Sequence, residues 1–348
     1  MPKKRRMVIL TEGQLNVFRA KTAVSVMRYL PQEVCCVLDG VATGQHLPSL
    51  VGVGEGIPIV ATLREALKFK PNTLLIGIAP VGGKLPAAWR RTLVRAMAAG
   101  LDIISGLHHF VGEDPVLARA AKKHRRRIWD VRSVPDEMEC SKNVAKDLKC
   151  KRVLTVGTDA NMGKMSVSLE LTAEARRRGW DAEFIATGQT GMIISGAGIC
   201  IDRTISDFTN GAIEREVVNR KRREILFIEG QGSIGHPAYS AVSLGLLHGC
   251  APDGMILVHC PTRKVTTSVE TPIAPLPLMV ELHEKLAGLL CPSKVVGIAL
   301  NTFGMKDAGA RKAVAKAERE TRLPASDVFR YGCGKLMDAL EKHYRKKG

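Results

Sequence analysis

The chain has 348 residues, 45% of them hydrophobic, enough for two ordinary domains that each bury a core of their own. Lysine and arginine total 52 against 34 acidic residues, a formal charge of +18, so the molecule attracts anions such as nucleotides, coenzyme A, carboxylates or nucleic acid. No run approaches the ~18 apolar residues of a membrane span and the N-terminus lacks the apolar segment of a secretion signal, so a cytoplasmic location without a membrane partner is expected.

In chain order, the basic run 3–6 comes first, and apolar runs at 34–38, 57–61, 73–79, 103–105 and 128–131 then read as short strands. Helical stretches at 63–69 and 87–99 lie between them. Near-continuous apolar strands alternating with helices indicate a parallel sheet covered on both faces, a Rossmann-like arrangement. Glycine turns punctuate it at Gly52, Gly54 and Gly56 and at Gly82-Gly83. The first does not lie between a clear strand and a helix, so it reads as turn chemistry rather than a dinucleotide fingerprint. Cys35 and Cys36 read as small core residues, and His108-His109 as a polar strand-end pair with no third metal ligand in reach. Nine cysteines without a C-x-x-C pair read as reduced thiols. The basic runs 3–6 and 122–127 have no interleaved aromatics and aromatic content is 4%, so they read as solvated faces and nucleic acid is not expected as a partner.

The segment 133–149 is charged and carries Pro135, which places a boundary near Cys150, with domains at 1–150 and 151–348. Beyond it come a strand at 153–156, a helix over about 164–178, a strand at 182–186 and a glycine-rich region at 188–198. A helix near 210–219, strands at 225–228, 254–259 and 294–300, helices at 308–321 and 335–344 and a basic tail at 345–347 follow. The fold class is therefore α/β: an N-terminal Rossmann-like parallel-sheet domain followed by a P-loop NTPase-like α/β domain.

Between the strand at 153–156 and its helix lies GTDANMGKMS, from Gly157 to Ser166. Backbone N–H groups in such a turn point inward, the helix N-terminus adds partial positive charge, and Lys164 reaches the same phosphate oxygens. The cofactor-binding candidates are Gly157, Thr158, Asn161, Gly163, Lys164, Met165, Ser166 and Asn301, the last at the end of the strand 294–300. Five residues separate the two glycines and Met165 stands where a hydroxyl normally follows the lysine, so Ser166 takes that role one position later or the metal ligand is missing.

Glu229 ends the strand 225–228 and opens a Gly-Gln-Gly turn, where a carboxylate faces the phosphate loop. Asp159, inside the loop, repels a phosphate unless it binds a metal or a substrate cation. The small-residue run 186–208 lets backbone approach a ligand closely and offers Thr187, Gln189 and Thr190 as neutral donors, with Asp202 and Asp207 as carboxylates. His236 is a candidate proton carrier in the same cleft, and Arg263 and Lys264 are candidate grips for a carboxylate or phosphate.

The motifs GTDANMGKMS, FIEGQGS and VVGIALNT are similar to the dethiobiotin synthetase branch of P-loop proteins. The run of GTDANMGKM, ATGQTGMIISGAGICID, EGQGS and HPAYSAVSLGLLHGCAPD, with the Rossmann-like part before it, resembles more closely a two-domain family long described as of unknown function, which includes D-glutamate N-acetyltransferases. The likeness runs from about 34 to 301. It implies transfer of an acetyl group from acetyl-CoA to the amino nitrogen of D-glutamate or a related amino acid. Such a site must anchor the CoA phosphates, which suits the loop 157–166. It must also accept a dicarboxylate, which suits Arg203 or Arg263, and deprotonate an ammonium, a task for Asp159, Asp207, Glu229 or His236.

Two other readings stay open. In one, the chain is an ATP-dependent ligase or kinase, with Mg²⁺ held by Ser166 and Glu229; in the other, it is a nucleotide-binding or nucleic-acid-associated regulator without turnover. A small acidic amino acid is the expected substrate, and a homo-oligomer the expected assembly.

Overall fold

The computed structural model describes residues 5–78 and 83–345. Lys3, Lys4, Ala79, Gly82, Lys346 and Lys347, all part of the sequence reading, lie outside the described residues. The chain forms two compact units, one of Met1–Ser133 with Met192–Gly196, the other of Val134–Gly191 with Ala197–Gly348.

The first unit is built on six parallel strands: β1 (Met7–Leu10), β2 (Val34–Leu38), β3 (Ile59–Val60), β4 (Thr73–Ile76), β5 (Asp102–Ser105) and β6 (Ile128–Asp130). Their order is β3-β2-β1-β4-β5-β6, a Rossmann-type order that reverses at β1. Every residue of β1 and β4 is buried, as strands covered on both faces must be. The central strand β1 is absent from the sequence reading, because four apolar residues directly after a basic run carry no period of their own. Asp39, directly after β2, is fully buried; its carboxylate accepts the Thr11 hydroxyl at 2.8 Å and the amides of Gly13, Val41 and Ala42 at 2.9–3.1 Å. It fastens together the loops that follow β1 and β2. Gly52, Gly54 and Gly56 all have left-handed φ of 73–89°, and Gly52 terminates the short helix Leu47–Val51, which is the turn role expected of them. The basic run 122–127 begins in the helix Pro115–His124, and Lys122, Lys123, Arg125 and Arg127 are exposed, as a solvated face should be.

The second unit has β7 (Lys151–Gly157), β8 (Ala182–Ile185), β9 (Ile225–Ile228), β10 (Gly254–His259), β11 (Lys294–Leu300) and β12 (Ala325–Ser326), all parallel, in the order β12-β11-β10-β7-β9-β8. β7 sits between β9 and β10, so the carboxyl ends of these three strands share one edge. Four elements depart from the sequence reading, the two-residue strand β12 among them. The glycine-rich region contains a helix, Gln189–Ser195. The helix Ser240–Cys250 has its buried residues bunched at Gly245, Leu246, Leu247, Gly249 and Cys250, which hides its period. The helix Leu276–Gly288 buries Leu276, Met279, His283 and Ala287 at helical spacing, but a histidine in the stripe masks it.

The first unit ends at Ser133, not near Cys150. The intervening segment is held by Glu214, whose carboxylate accepts the amides of Lys142, Val144 and Ala145 at 2.6–3.2 Å, and Ala145 is buried in the core of the second unit. Charge and proline content made this stretch read as a linker, yet its backbone is satisfied by one distant side chain.

At the foot of β7, Arg152 is 1% exposed and donates to the carbonyls of Leu148, Cys150 and Ala251 and to Asp253 Oδ1 at 2.7–3.0 Å. Arg152→Ala removes the guanidinium from those carbonyls and from Asp253 Oδ1, while the residue 152 amide still donates to Asp253 Oδ2. A loss of about 3–5 kcal/mol is expected, read as a lower urea midpoint at unchanged m-value.

Candidate functional site

The apolar strand β7 runs into the loop 158–163, and the helix Lys164–Arg177 starts immediately after it. Asn161 (φ 54°) and Gly163 (φ 103°) are left-handed, which turns the chain sharply before the first helical residue. No acidic residue occupies the first turn of this helix, so nothing there offsets the partial positive charge at its N-terminus. This is the geometry of an anion cradle.

The loop is held from below by a staple. Asp159 is fully buried, and its Oδ2 accepts Arg263 Nη1 at 2.7 Å and both the amide and the hydroxyl of Thr267 at 2.9 Å, while Oδ1 accepts the Ala160 amide at 2.7 Å. Burial pushes its acidity weaker, but the hydrogen bonds from Arg263, Thr267 and Ala160 outweigh this and hold the carboxyl below its usual range. The repulsion of phosphate expected from Asp159 is therefore cancelled at its source. A carboxylate with its lone pairs filled in this way holds the loop instead of accepting a proton. Arg263 Nη1 also donates to the Ala160 carbonyl and to the Thr267 hydroxyl, which leaves Nε and Nη2 as the donors it can offer a ligand. Thr267 went unnoticed in the sequence because nothing marks a threonine 108 residues from its partner.

His236 is also fully buried. The Ala238 amide donates to Nδ1 at 3.1 Å, so the proton sits on Nε2, which donates to the Thr267 carbonyl at 2.9 Å and lies 3.6 Å from Asp159 Oδ1. Both ring nitrogens are engaged, so this ring braces the staple; it has no nitrogen left to carry a proton to substrate.

Lys164 is 6% exposed, and its ammonium donates to the Asp159 carbonyl at 2.7 Å, folded over Gly157. Burial pulls it down to about 8, against the charges of Asp159 and Glu229, and the Arg263 charge adds to the fall. Across the β7–β9 pairing, Glu229 is 5% exposed. Its Oε2 accepts the amides of Thr187 and Gly188 at 2.9 and 3.2 Å, and Oε1 accepts Gln231 Nε2 at 3.2 Å. Burial raises it to about 7 despite those amides; the Asp202 charge pushes the same way and Lys164 opposes. Gly230 must be glycine, since a Cβ there would lie 1.7 Å from the Thr155 carbonyl. The closeness brings the Glu229 turn onto β7.

On the other flank, Thr158 Oγ1 lies 2.9 Å from Nδ1 of His259, the last residue of β10, and burial together with Lys264 and Lys316 lowers that imidazole to about 4. Asn301, just past β11, donates from Nδ2 to the Met162 carbonyl at 3.1 Å. The structure thus gathers Gly157, Thr158, Asp159, Gly163, Lys164, Thr187, Glu229, His236, Arg263 and Asn301 around one edge of the sheet. Met165 and Ser166 lie half-buried in the first helical turn, and Asn161 is exposed. Gln189 and Thr190 open the helix Gln189–Ser195 and are half-buried. Arg203 and Asp207 are exposed on the short turns Ile201–Arg203 and Ser206–Phe208. As a metal ligand Glu229 fits poorly: each of its oxygens already faces an N–H, which a cation would have to displace. Among the described residues no group of three or more His, Cys, Asp or Glu is placed to hold a metal ion, and no helix is long and apolar enough to cross a membrane.

Comparison with known proteins covers both units. A family model described as a P-loop domain of unknown function, DUF1611, matches residues 139–337, and its Rossmann-like N-terminal companion matches residues 41–134. A D-glutamate N-acetyltransferase of Tritonibacter scottomollicae is 36% identical over 330 residues, 93% of this chain and 95% of that protein. One from a Pseudoalteromonas species is 34% identical over 278 residues, covering 79% and 83%. The crystal structure of a DUF1611 family protein from Anabaena variabilis superposes with a TM-score of 0.93 at 39% identity, over 97% of this chain and 99% of that one.

The staple has a pH signature. Asp159 has its folded value depressed, so its stabilisation is complete above the ordinary 3.8 and fades as pH falls through the lower folded value. Asp159→Asn is expected to cost about 1.5–3 kcal/mol at neutral pH, with the gap to wild type closing in strong acid. Chemical unfolding of both proteins over a pH series measures it.

Proposed function

The chain belongs to the DUF1611 family, and from that premise we propose that it moves an acetyl group from acetyl-CoA to the amino nitrogen of D-glutamate. The observation that carries this reading is the likeness to relatives of that name along nearly the whole chain, through both domains. In this reading each part of the site has a role. The amides of the loop 158–163, the N-terminus of the helix Lys164–Arg177 and the Lys164 ammonium anchor the donor's diphosphate. Arg263 offers Nε and Nη2 to a substrate carboxylate. Glu229, raised to about 7, is matched to taking a proton from an ammonium near neutral pH, and its three N–H partners leave one of roughly four lone-pair sites for that proton.

The step then balances. Glu229 accepts a proton from the substrate ammonium, and the freed amine attacks the thioester carbonyl. The new C–N bond forms as the C–S bond breaks, the CoA thiolate departs, and the second amine proton passes to solvent or to that thiolate.

Incubation of the purified protein with acetyl-CoA and D-glutamate is expected to release free thiol in step with N-acetyl-D-glutamate. Release of ADP from ATP and Mg²⁺ with a small acid, and no thiol with either glutamate enantiomer, would overturn the reading. With the transferase, kcat/KM is expected to rise with pH through about 7 as Glu229 loses its proton, and Glu229→Gln to lower kcat by about 10²-fold or more.

Lys164→Met separates function from stability. Because the folded value is depressed to about 8, the charged lysine costs stability as pH falls through that value. The variant is expected to lose donor affinity, by titration calorimetry with acetyl-CoA, while its melting temperature at neutral pH equals or exceeds that of wild type. Wild-type affinity in that variant would remove Lys164 from the donor site.

A further inference from the structure

The departing thiolate of the reaction proposed above needs a proton, and the amine has a second one to lose. Several polar side chains of the sheet edge are committed elsewhere: Asp159 and both ring nitrogens of His236 are held in the staple, and Thr158 Oγ1 lies against His259. Tyr239 is not. It is 45% exposed, and its hydroxyl makes no hydrogen bond among the described residues. The phenol nevertheless has a fixed place. Its ring lies on the buried His236 ring, with centroids 4.6 Å apart and a tilt of 35°, and the Tyr239 amide donates to the His236 carbonyl at 3.2 Å. His236 in turn meets the Thr267 carbonyl and Asp159, so the phenol covers one side of the staple that shapes the loop.

The backbone of Tyr239 is also wedged against the turn that carries Glu229. Gly232 is left-handed at φ 59°, and a Cβ there would lie 2.8 Å from Tyr239 Cβ. The Ser243 hydroxyl reaches the carbonyls of Gln231 at 2.7 Å and Tyr239 at 3.2 Å, which ties that turn to the start of the helix Ser240–Cys250. The Gln231 side chain meets Glu229 Oε1 at 3.2 Å. One short stretch of chain therefore fixes both a proton acceptor and a phenol with an unused proton. We propose that Tyr239 delivers the proton to the departing thiolate. As the C–S bond breaks, the sulfur keeps the electron pair and takes the phenolic proton. The phenolate then recovers a proton from the amine nitrogen, which has one to lose once the new C–N bond has formed. Glu229 releases its own proton to solvent, which leaves the N-acetyl product, free CoA thiol and one proton in solution. A phenol suits this task because phenols and alkyl thiols are of similar acidity, so the transfer is nearly level. This rests on the reading that the site moves an acetyl group from a thioester.

The test compares two donors on the full-length chain with D-glutamate as acceptor: acetyl-CoA, and its selenoester analogue, whose selenol leaves as an anion at neutral pH and needs no proton. Tyr239→Phe keeps the ring on His236 and removes only the hydroxyl, so its melting temperature is expected to match that of wild type. With acetyl-CoA, its kcat is expected to fall by about 10²-fold, while its affinity for acetyl-CoA by titration calorimetry stays that of wild type. With the selenoester, kcat is expected to fall by about twofold or less. A wild-type kcat with acetyl-CoA in Tyr239→Phe overturns the proton donor and leaves acetyl transfer standing. So does an equal fall with both donors, which assigns Tyr239 to packing, and so does a change confined to KM, which assigns it to binding. A wild type that releases no thiol from acetyl-CoA with D-glutamate ends the acetyl-transfer reading and takes the proton donor with it.

Discussion

The buried carboxylate of Asp159 is the constraint on which the rest of the second unit's sheet edge depends. A loop that presents its amides outward to an anion has to be held from the inside, and an isolated buried charge would be ruinous there. Arg263 and Thr267 from beyond β10 supply that hold, and the His236 ring braces the Thr267 carbonyl. Lys164 then folds onto the Asp159 carbonyl, so that the residue whose carboxylate shapes the loop also fixes the lysine ammonium.

Lys164 and Glu229 show what such a site costs. Both are almost fully buried, and burial moves each toward its neutral form, to about 8 and about 7. A core built for stability alone would place apolar residues at both points. Keeping two groups that titrate near neutrality, one opening the helix after β7 and one just past β9, each within the other's field, is the kind of local concession that clusters at functional sites. The Glu229 amide partners decide its character further: three N–H donors favour an acid that gains and loses a proton over one that binds a cation.

Much of this was legible in the chain. β9, β10 and β11 coincide with the runs read at 225–228, 254–259 and 294–300, because a buried parallel strand is a continuous apolar run bounded by turn residues. The strand, loop and helix around Lys164 and the strand end at Glu229 were legible for the same local reason: an apolar run stops at a glycine turn. The helix Leu276–Gly288, with His283 in its buried stripe, escaped because its apolar period is broken. The domain boundary was misplaced because charge and proline mark a linker only when no distant side chain claims the backbone, and Glu214 claims it here.

What the sequence determined by itself is the class of each half and the strand–loop–helix that opens the second, since both follow from spacing along the chain. The tertiary structure decided which polar residues touch. Asp159 and Thr267 are 108 residues apart, and Thr187 lies 42 from Glu229. No period links such pairs; only the strand order β12-β11-β10-β7-β9-β8 carries their loops to one edge. That order separates Asp159, whose lone pairs are filled by hydrogen-bond donors, from Glu229, buried enough to titrate near neutrality, although the two carboxylates read alike in the chain.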